Sequence, residues 1–196
     1  MSPLLTTFAA DGISAFGFSR GGAAAGSYEL ISTSLVTSTV SSVVLTNSGA
    51  WTPYKHLQIR ITARADTAGS IADNFMMRFN ADTGSNYFRE HYLKGNGSSV
   101  TSGSEGTSTS IFVGSLTAAN ATTNVFASNI IDILDHAGTK NKTTRSLNGY
   151  HSASFPQIKL SSGLWMSTAG LSSITFSAQS GNLVSGSRFS IYGIKG

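Results

Sequence analysis

The chain has 196 residues, no cysteine, and 13 Lys and Arg against 9 Asp and Glu, for a net charge of +4. That length suits one domain, or one domain with an arm, able to bury a real core. The missing cysteine excludes a disulfide framework, a thiolate metal site and a cysteine nucleophile. Charged residues make up only 11% of the chain, against about 25% in a typical soluble domain. Ser and Thr, roughly a quarter of all residues, and 21 Gly take their place, a profile of a turn-rich β-protein and not of a helical bundle.

Residues 1–26 hold short apolar pieces, LLTTFAA and ISAFGF, broken by Gly12, Gly17, Gly21, Gly22 and Gly26. No period persists in them, and at most a short helical turn is expected in PLLTTFAA. The segment reads as an extended arm. Leu4, Leu5, Phe8, Ile13, Phe16 and Phe18 supply apolar anchors for a partner surface, and Arg20 supplies a cation for a partner carboxylate. Its competing reading is extra strands of the main domain. It lacks the basic n-region of a signal peptide, and no stretch of the chain nears the ~20 apolar residues of a membrane helix. The expectation is therefore synthesis in the cytoplasm with no membrane partner.

Inside the arm, Gly17-Phe18-Ser19-Arg20-Gly21 spells G-x-S-x-G. A nucleophile elbow needs a buried strand before the serine and a helix after it. Here no clear strand precedes Ser19, and GGAAAGS follows it. The match is read as chance.

From Tyr28 onward the strand pattern takes over. In YKHLQIRITARA, Leu57, Ile59, Ile61 and Ala63 share one face, while His56, Gln58, Arg60, Thr62 and Arg64 share the other. A two-residue period predicts a half-buried strand. Residues 40–46, 74–80, 86–93, 124–134, 156–166, 171–178 and 187–194 read similarly, rich in β-branched and aromatic residues. NADTG (80–84) is expected to be a tight hairpin turn and SGN (180–182) another turn. Residues 94–110 and 135–149 read as long polar loops. About eight short strands at this spacing predict an all-β, antiparallel jelly-roll-like sandwich over residues 27–196.

Candidate chemistry is sparse. His56, His91, His136 and His151 show no metal-ligand spacing, and no cofactor or metal is expected. Asp132, Asp135 and His136 gather at a strand end and are read as a charge pair or turn cap before acid–base machinery. Sequons at Asn96, Asn120 and Asn141 occur about as often as chance allows. The densest cationic group is Lys140, Lys142 and Arg145, with Lys159 further on, too dispersed for a nucleic-acid footprint. Tyr87, Tyr92 and Trp165 are the candidate outer-surface aromatics that could stack a sugar, with a core or interface role as the competing reading. No catalytic residue is assigned, and an enzyme is not expected.

Four motifs carry a resemblance. They are PYKHLQIRITAR (53–64), MRFNADTGSNYFREHYLKGNGSS (77–99), DHAGTKNKT (135–143) and the C-terminal GSRFSIYGIKG (186–196). In this order they resemble a recurring group of tailed-bacteriophage virion proteins, over roughly residues 40–196. The resemblance implies a jelly-roll-like domain on the outside of the particle, in capsid decoration (cement) or tail-associated proteins, and brings no catalytic residues. The implied role is a decoration protein on the capsid exterior that bridges major capsid subunits. A homotrimer is expected because it suits local three-fold sites. The alternative is a receptor- or carbohydrate-binding module of a tail fibre or spike.

Overall fold

The computed structural model describes residues 27–152 and 156–196. Ser19 and the expected arm residues, Leu4, Leu5, Phe8, Ile13, Phe16, Phe18 and Arg20, lie outside the described residues.

Twelve strands follow in chain order: β1 (Tyr28–Leu35), β2 (Val43–Thr46), β3 (His56–Ala63), β4 (Ala72–Phe79), β5 (Tyr87–Gly95), β6 (Val100–Ser108), β7 (Ile111–Thr117), β8 (Ala127–Ile133), β9 (Lys142–Tyr150), β10 (Gln157–Trp165), β11 (Ser173–Ala178) and β12 (Arg188–Ile194). They form an eight-stranded sheet, β1-β12-β3-β8-β9-β10-β5-β6, and a four-stranded sheet, β2-β11-β4-β7. Every pairing between named strands is antiparallel. The fold is the expected jelly-roll-like β-sandwich, without a helix among the described residues.

The two-residue period explains the sandwich. In β3, Leu57, Ile59, Ile61 and Ala63 are all buried, while Arg60 and Thr62 face water. The core lies between the sheets, where aromatic rings bridge them. Phe176 of β11 lies 5.5 Å from Phe75 of β4 and 5.6 Å from Phe189 of β12. Phe79 of β4 packs 5.5 Å from Trp165 of β10.

Three expectations change. Residues 94–110 and 135–149 are not simply loops, because they contain β6 and β9. The backbone ladder to β5, and to β8 and β10, orders sequences whose side chains alone look loop-like. The third is NADTG, which turns the chain from β4 in the small sheet to β5 in the large one and is a corner between sheets. Asn80 and Ala81 both take positive φ there, 52° and 55°. Tyr87 pins the corner, donating from Oη to the Asp82 and Phe79 carbonyls at 3.1 and 3.2 Å and accepting from the Phe79 N–H at 3.0 Å. Burial pushes this phenol's pKa up to about 12.

Candidate functional site

The sheet polarity reverses across β9 and β10. Lys142, Thr144, Ser146, Asn148, Gln157, Lys159 and Ser161 point inward and are buried. Leu147, Ile158 and Leu160 point outward and are 47%, 59% and 43% exposed. The inward polarity has a local cause. β7 is an edge of the small sheet and is buried along its whole length. Its free backbone edge meets β9, and buried backbone groups require partners. Asn148 supplies them as another strand would: Ser115 N–H donates to its Oδ1 at 3.1 Å, and its Nδ2 donates to Ser115 O at 3.0 Å. Gly114 permits the approach, since a Cβ there would sit 2.6 Å from the Asn148 side chain. Ser115 and Gln157 then bond side chain to side chain at 3.0 Å, as do Ser146 and Ser161 at 2.8 Å.

Beyond that seam the sheets part, leaving a polar trough of about 300 Å³. Asp73, Asn74, Glu90, Glu105, Tyr92, Lys94, Ser115, Gln157 and Lys159 provide its polar walls. At its floor, Lys159 Nζ lies 2.8 and 2.6 Å from the two Glu90 carboxylate oxygens, both side chains almost wholly buried. Burial raises the Glu90 carboxyl above the usual carboxylate range, against the opposing pull of Lys159. Asp73 closes one wall, taking hydrogen bonds from Thr67 Oγ1 and the Ser180 and Gly181 amides.

The outer face of the eight-stranded sheet is organised in rows. Register pairs Ile130, Leu147, Leu160 and Leu93 side by side across β8, β9, β10 and β5. All four are at least one-third exposed. The neighbouring row is polar: Gln58, Asp132, Arg145, Ser162, His91 and Ser104. Gln58 Nε2 donates to Asp132 at 2.8 Å, and Arg145 donates to the other Asp132 oxygen at 2.7 Å. Arg60 lies 5.3 Å from the centres of both the Tyr28 and Tyr192 rings, which stack at 4.9 Å.

Of the candidate outer-surface aromatics, Tyr87 and Trp165 are core residues, fully buried and 3% exposed. Both lie on the inward side of their strands, where Trp165 Nε1 donates to Asp82 at 2.8 Å. Tyr92 is half-buried and lines the trough on the inner side of the large sheet. Its ring lies against Gly103 on β6, with Lys159 Nζ 4.6 Å from the ring centre. None of the three offers an open stacking platform on the outer face.

His56 and His136 hold loops. His56 Nδ1 accepts the Asp135 N–H at 3.0 Å, and His136, buried, bonds through Nε2 to the Tyr54 carbonyl at 2.9 Å. His91 is exposed and stacks on Phe88 at 5.1 Å. The densest cationic residues of the sequence turn to separate partners. Lys142 turns inward to the Gly138 and Lys140 carbonyls, and burial lowers its pKa. Arg145 pairs with Asp132 and Lys159 with Glu90. No cluster of three or more His, Asp or Glu side chains able to hold a metal occurs among the described residues. No described helix is long and apolar enough to cross a membrane.

Three of the four resemblance motifs interlock at one end of the large sheet. A Cβ on Gly193 would run into the Tyr54 ring. The Tyr54 carbonyl takes the His136 bond, His136 N–H donates to Lys55 O, and Lys55 N–H donates to Ile194 O. The trough is not legible in sequence because its walls come from five strands, β4, β5, β6, β7 and β10. The apolar row is not legible in sequence because Ile130, Leu93 and Leu160 alternate as a core face would, while Leu147 falls in a segment that reads as a loop.

No family model matches the chain, and no curated protein matches it. Solved structures give a weak likeness. A Ruminococcus gnavus IT-sialidase CBM40 aligns at 13% identity and TM-score 0.34, covering 83% of this chain and 91% of its own. The same organism's CBM40 bound to α2,6 sialyllactose aligns at 11% identity and TM-score 0.32, covering 83% and 92%. At these TM-scores the likeness carries no functional weight.

Proposed function

We propose that this chain is an exterior structural protein of a tailed-phage virion, and in particular a capsid decoration protein that bridges major capsid subunits. Its work is to hold surfaces together. The observation that supports this reading is the interlock of Tyr54, His136 and Gly193. Residues of three of the four motifs that carry the resemblance meet at one sheet end, as expected if those motifs belong to one framework. The charged and imidazole groups support the same reading, since His56, His136, Lys142 and Asp132 each hold a loop or a strand pair.

Quantitative mass spectrometry of purified particles tests it. Copies matching the number of capsid sites are expected. Absence from the particle would sink the virion reading, and a count matching tail fibres would move the protein to the tail.

The polar trough favours a second reading, a carbohydrate-binding module of a fibre or spike. Carboxylates, amides and ammonium groups converge there on a space of about 300 Å³, and such groups recognise hydroxyl-rich ligands. A glycan array separates the two: a decoration protein stays silent, and a tail module lights specific glycans.

A further inference from the structure

The outer face of the eight-stranded sheet carries a contiguous run of exposed aliphatic side chains. Ile130, Leu147, Leu160 and Leu93 form one unbroken row, and Ile158, at 59% exposed, stands in the next. On a soluble protein the largest contiguous apolar patch is often a binding surface.

We infer that a second copy of this chain covers this face, related by a two-fold axis parallel to the strands between β9 and β10. Three observations argue for the occupant. First, over the four central strands the Ile130 row is apolar and the Asp132 row polar, with Arg60 and Ser102 flanking the apolar row on β3 and β6. A two-fold parallel to the strands lays each row on its own counterpart, apolar on apolar and polar on polar, which is the self-complementarity that an isologous contact requires. Second, the individual pairs match. Leu147 meets Leu160 and Ile130 meets Leu93, while Ile158 enters the space over Gly149, since these stand in symmetric places about the axis. In the polar row Asp132 meets His91 and Arg145 meets Ser162, so no like charges are opposed. Third, the area suffices. Six strands about 4.8 Å apart and four residue rows about 6.8 Å apart span roughly 800 Å² at full contact, which reaches the amount each partner contributes to a standard stable interface.

Sedimentation equilibrium of the full chain from low to high micromolar concentration reads the outcome. A monomer–dimer equilibrium is expected. Leu160→Glu is expected to weaken it at least about 100-fold, because it buries an unpaired carboxylate against Leu147 of the second copy. Val44→Glu, on the exposed face of β2 in the other sheet, is expected to leave it unchanged. Circular dichroism reports whether each variant folds; should Leu160→Glu fail, Ile158→Lys reads the same contact. A wild-type chain that stays monomeric, a trimer as three-fold capsid sites would suggest, or a Leu160→Glu chain that dimerises like the wild type overturns the inference. It stands apart from the virion reading: a dimer absent from particles sinks only the latter.

Discussion

Gly193 on β12 lies directly beneath the Tyr54 ring, so close that a single methyl group at 193 has no room. The ring's own position is fixed in two ways. Tyr54 Oη donates to Glu29 at 2.6 Å, and its carbonyl is held by His136. Gly193→Ala is therefore expected to destabilise the fold by about 1–3 kcal/mol, as overpacking typically does. Thermal melting measures it, and the double variant Gly193→Ala/Tyr54→Ala should be less destabilised than the sum of its parts. Strict additivity would show that the two residues do not collide.

Asn148 acts as a surrogate strand for Ser115. Asn148→Leu removes both bonds and leaves a buried N–H and C=O without partners. The expected cost is about 2–4 kcal/mol, read by urea unfolding. Asn148→Asp should also fail, since a carboxylate cannot donate to Ser115 O. A neutral Asn148→Leu would refute the role.

The Glu90–Lys159 pair predicts an asymmetry. Glu90→Gln leaves a buried ammonium without its counter-charge, at an expected cost of about 3–5 kcal/mol. Lys159→Met should cost less, because burial already holds the Glu90 carboxyl above the usual range and it can take up a proton instead. The double variant should recover part of the loss. Denaturant midpoints of the four proteins decide it, and equal single losses would contradict the account.

Asp82 predicts an acid-sensitive corner. The Trp165 indole N–H, then the Gly84 amide and the Asn86 side chain, hold its carboxyl below the usual carboxylate range. A folded value below the unfolded one means stability that is present above the unfolded value of about 3.9. That stability is lost as the pH falls through the lower, folded value. Melting temperature should therefore drop below about pH 4, and Asp82→Asn should flatten that drop while lowering stability at neutral pH. A drop that persists unchanged in Asp82→Asn would assign it elsewhere.

Arg64 is the remaining test of local order. Its guanidinium donates to the carbonyls of Ala118, Ala119, Ala121, Thr122 and Val125. Arg64→Lys keeps the charge but cannot span this fan. Limited proteolysis should then cut within residues 118–126, where the wild type resists; equal resistance would remove the assignment.

Strand type was legible wherever side chains alternate against a packed face, as from Leu57 to Ala63. It was not legible in β6, whose Gly- and Ser-rich residues owe their extension to the β5 ladder. Neither was it legible in β7, whose residues are buried on both faces and show no alternation. Trp165 and Tyr87 look like possible surface aromatics in sequence because strand phase is invisible locally. Which side of β10 faces inward depends on β7 lying against it, and that contact spans some fifty residues of chain.

By itself the sequence determined composition, period and turn chemistry, and hence an antiparallel β-sandwich, because alternation and propensity are local properties. Only the tertiary structure decided which alternate face is inside at β9 and β10. There the free edge of β7 demands hydrogen-bonding partners, polar side chains turn inward to meet it, and Leu147, Ile158 and Leu160 are left facing out.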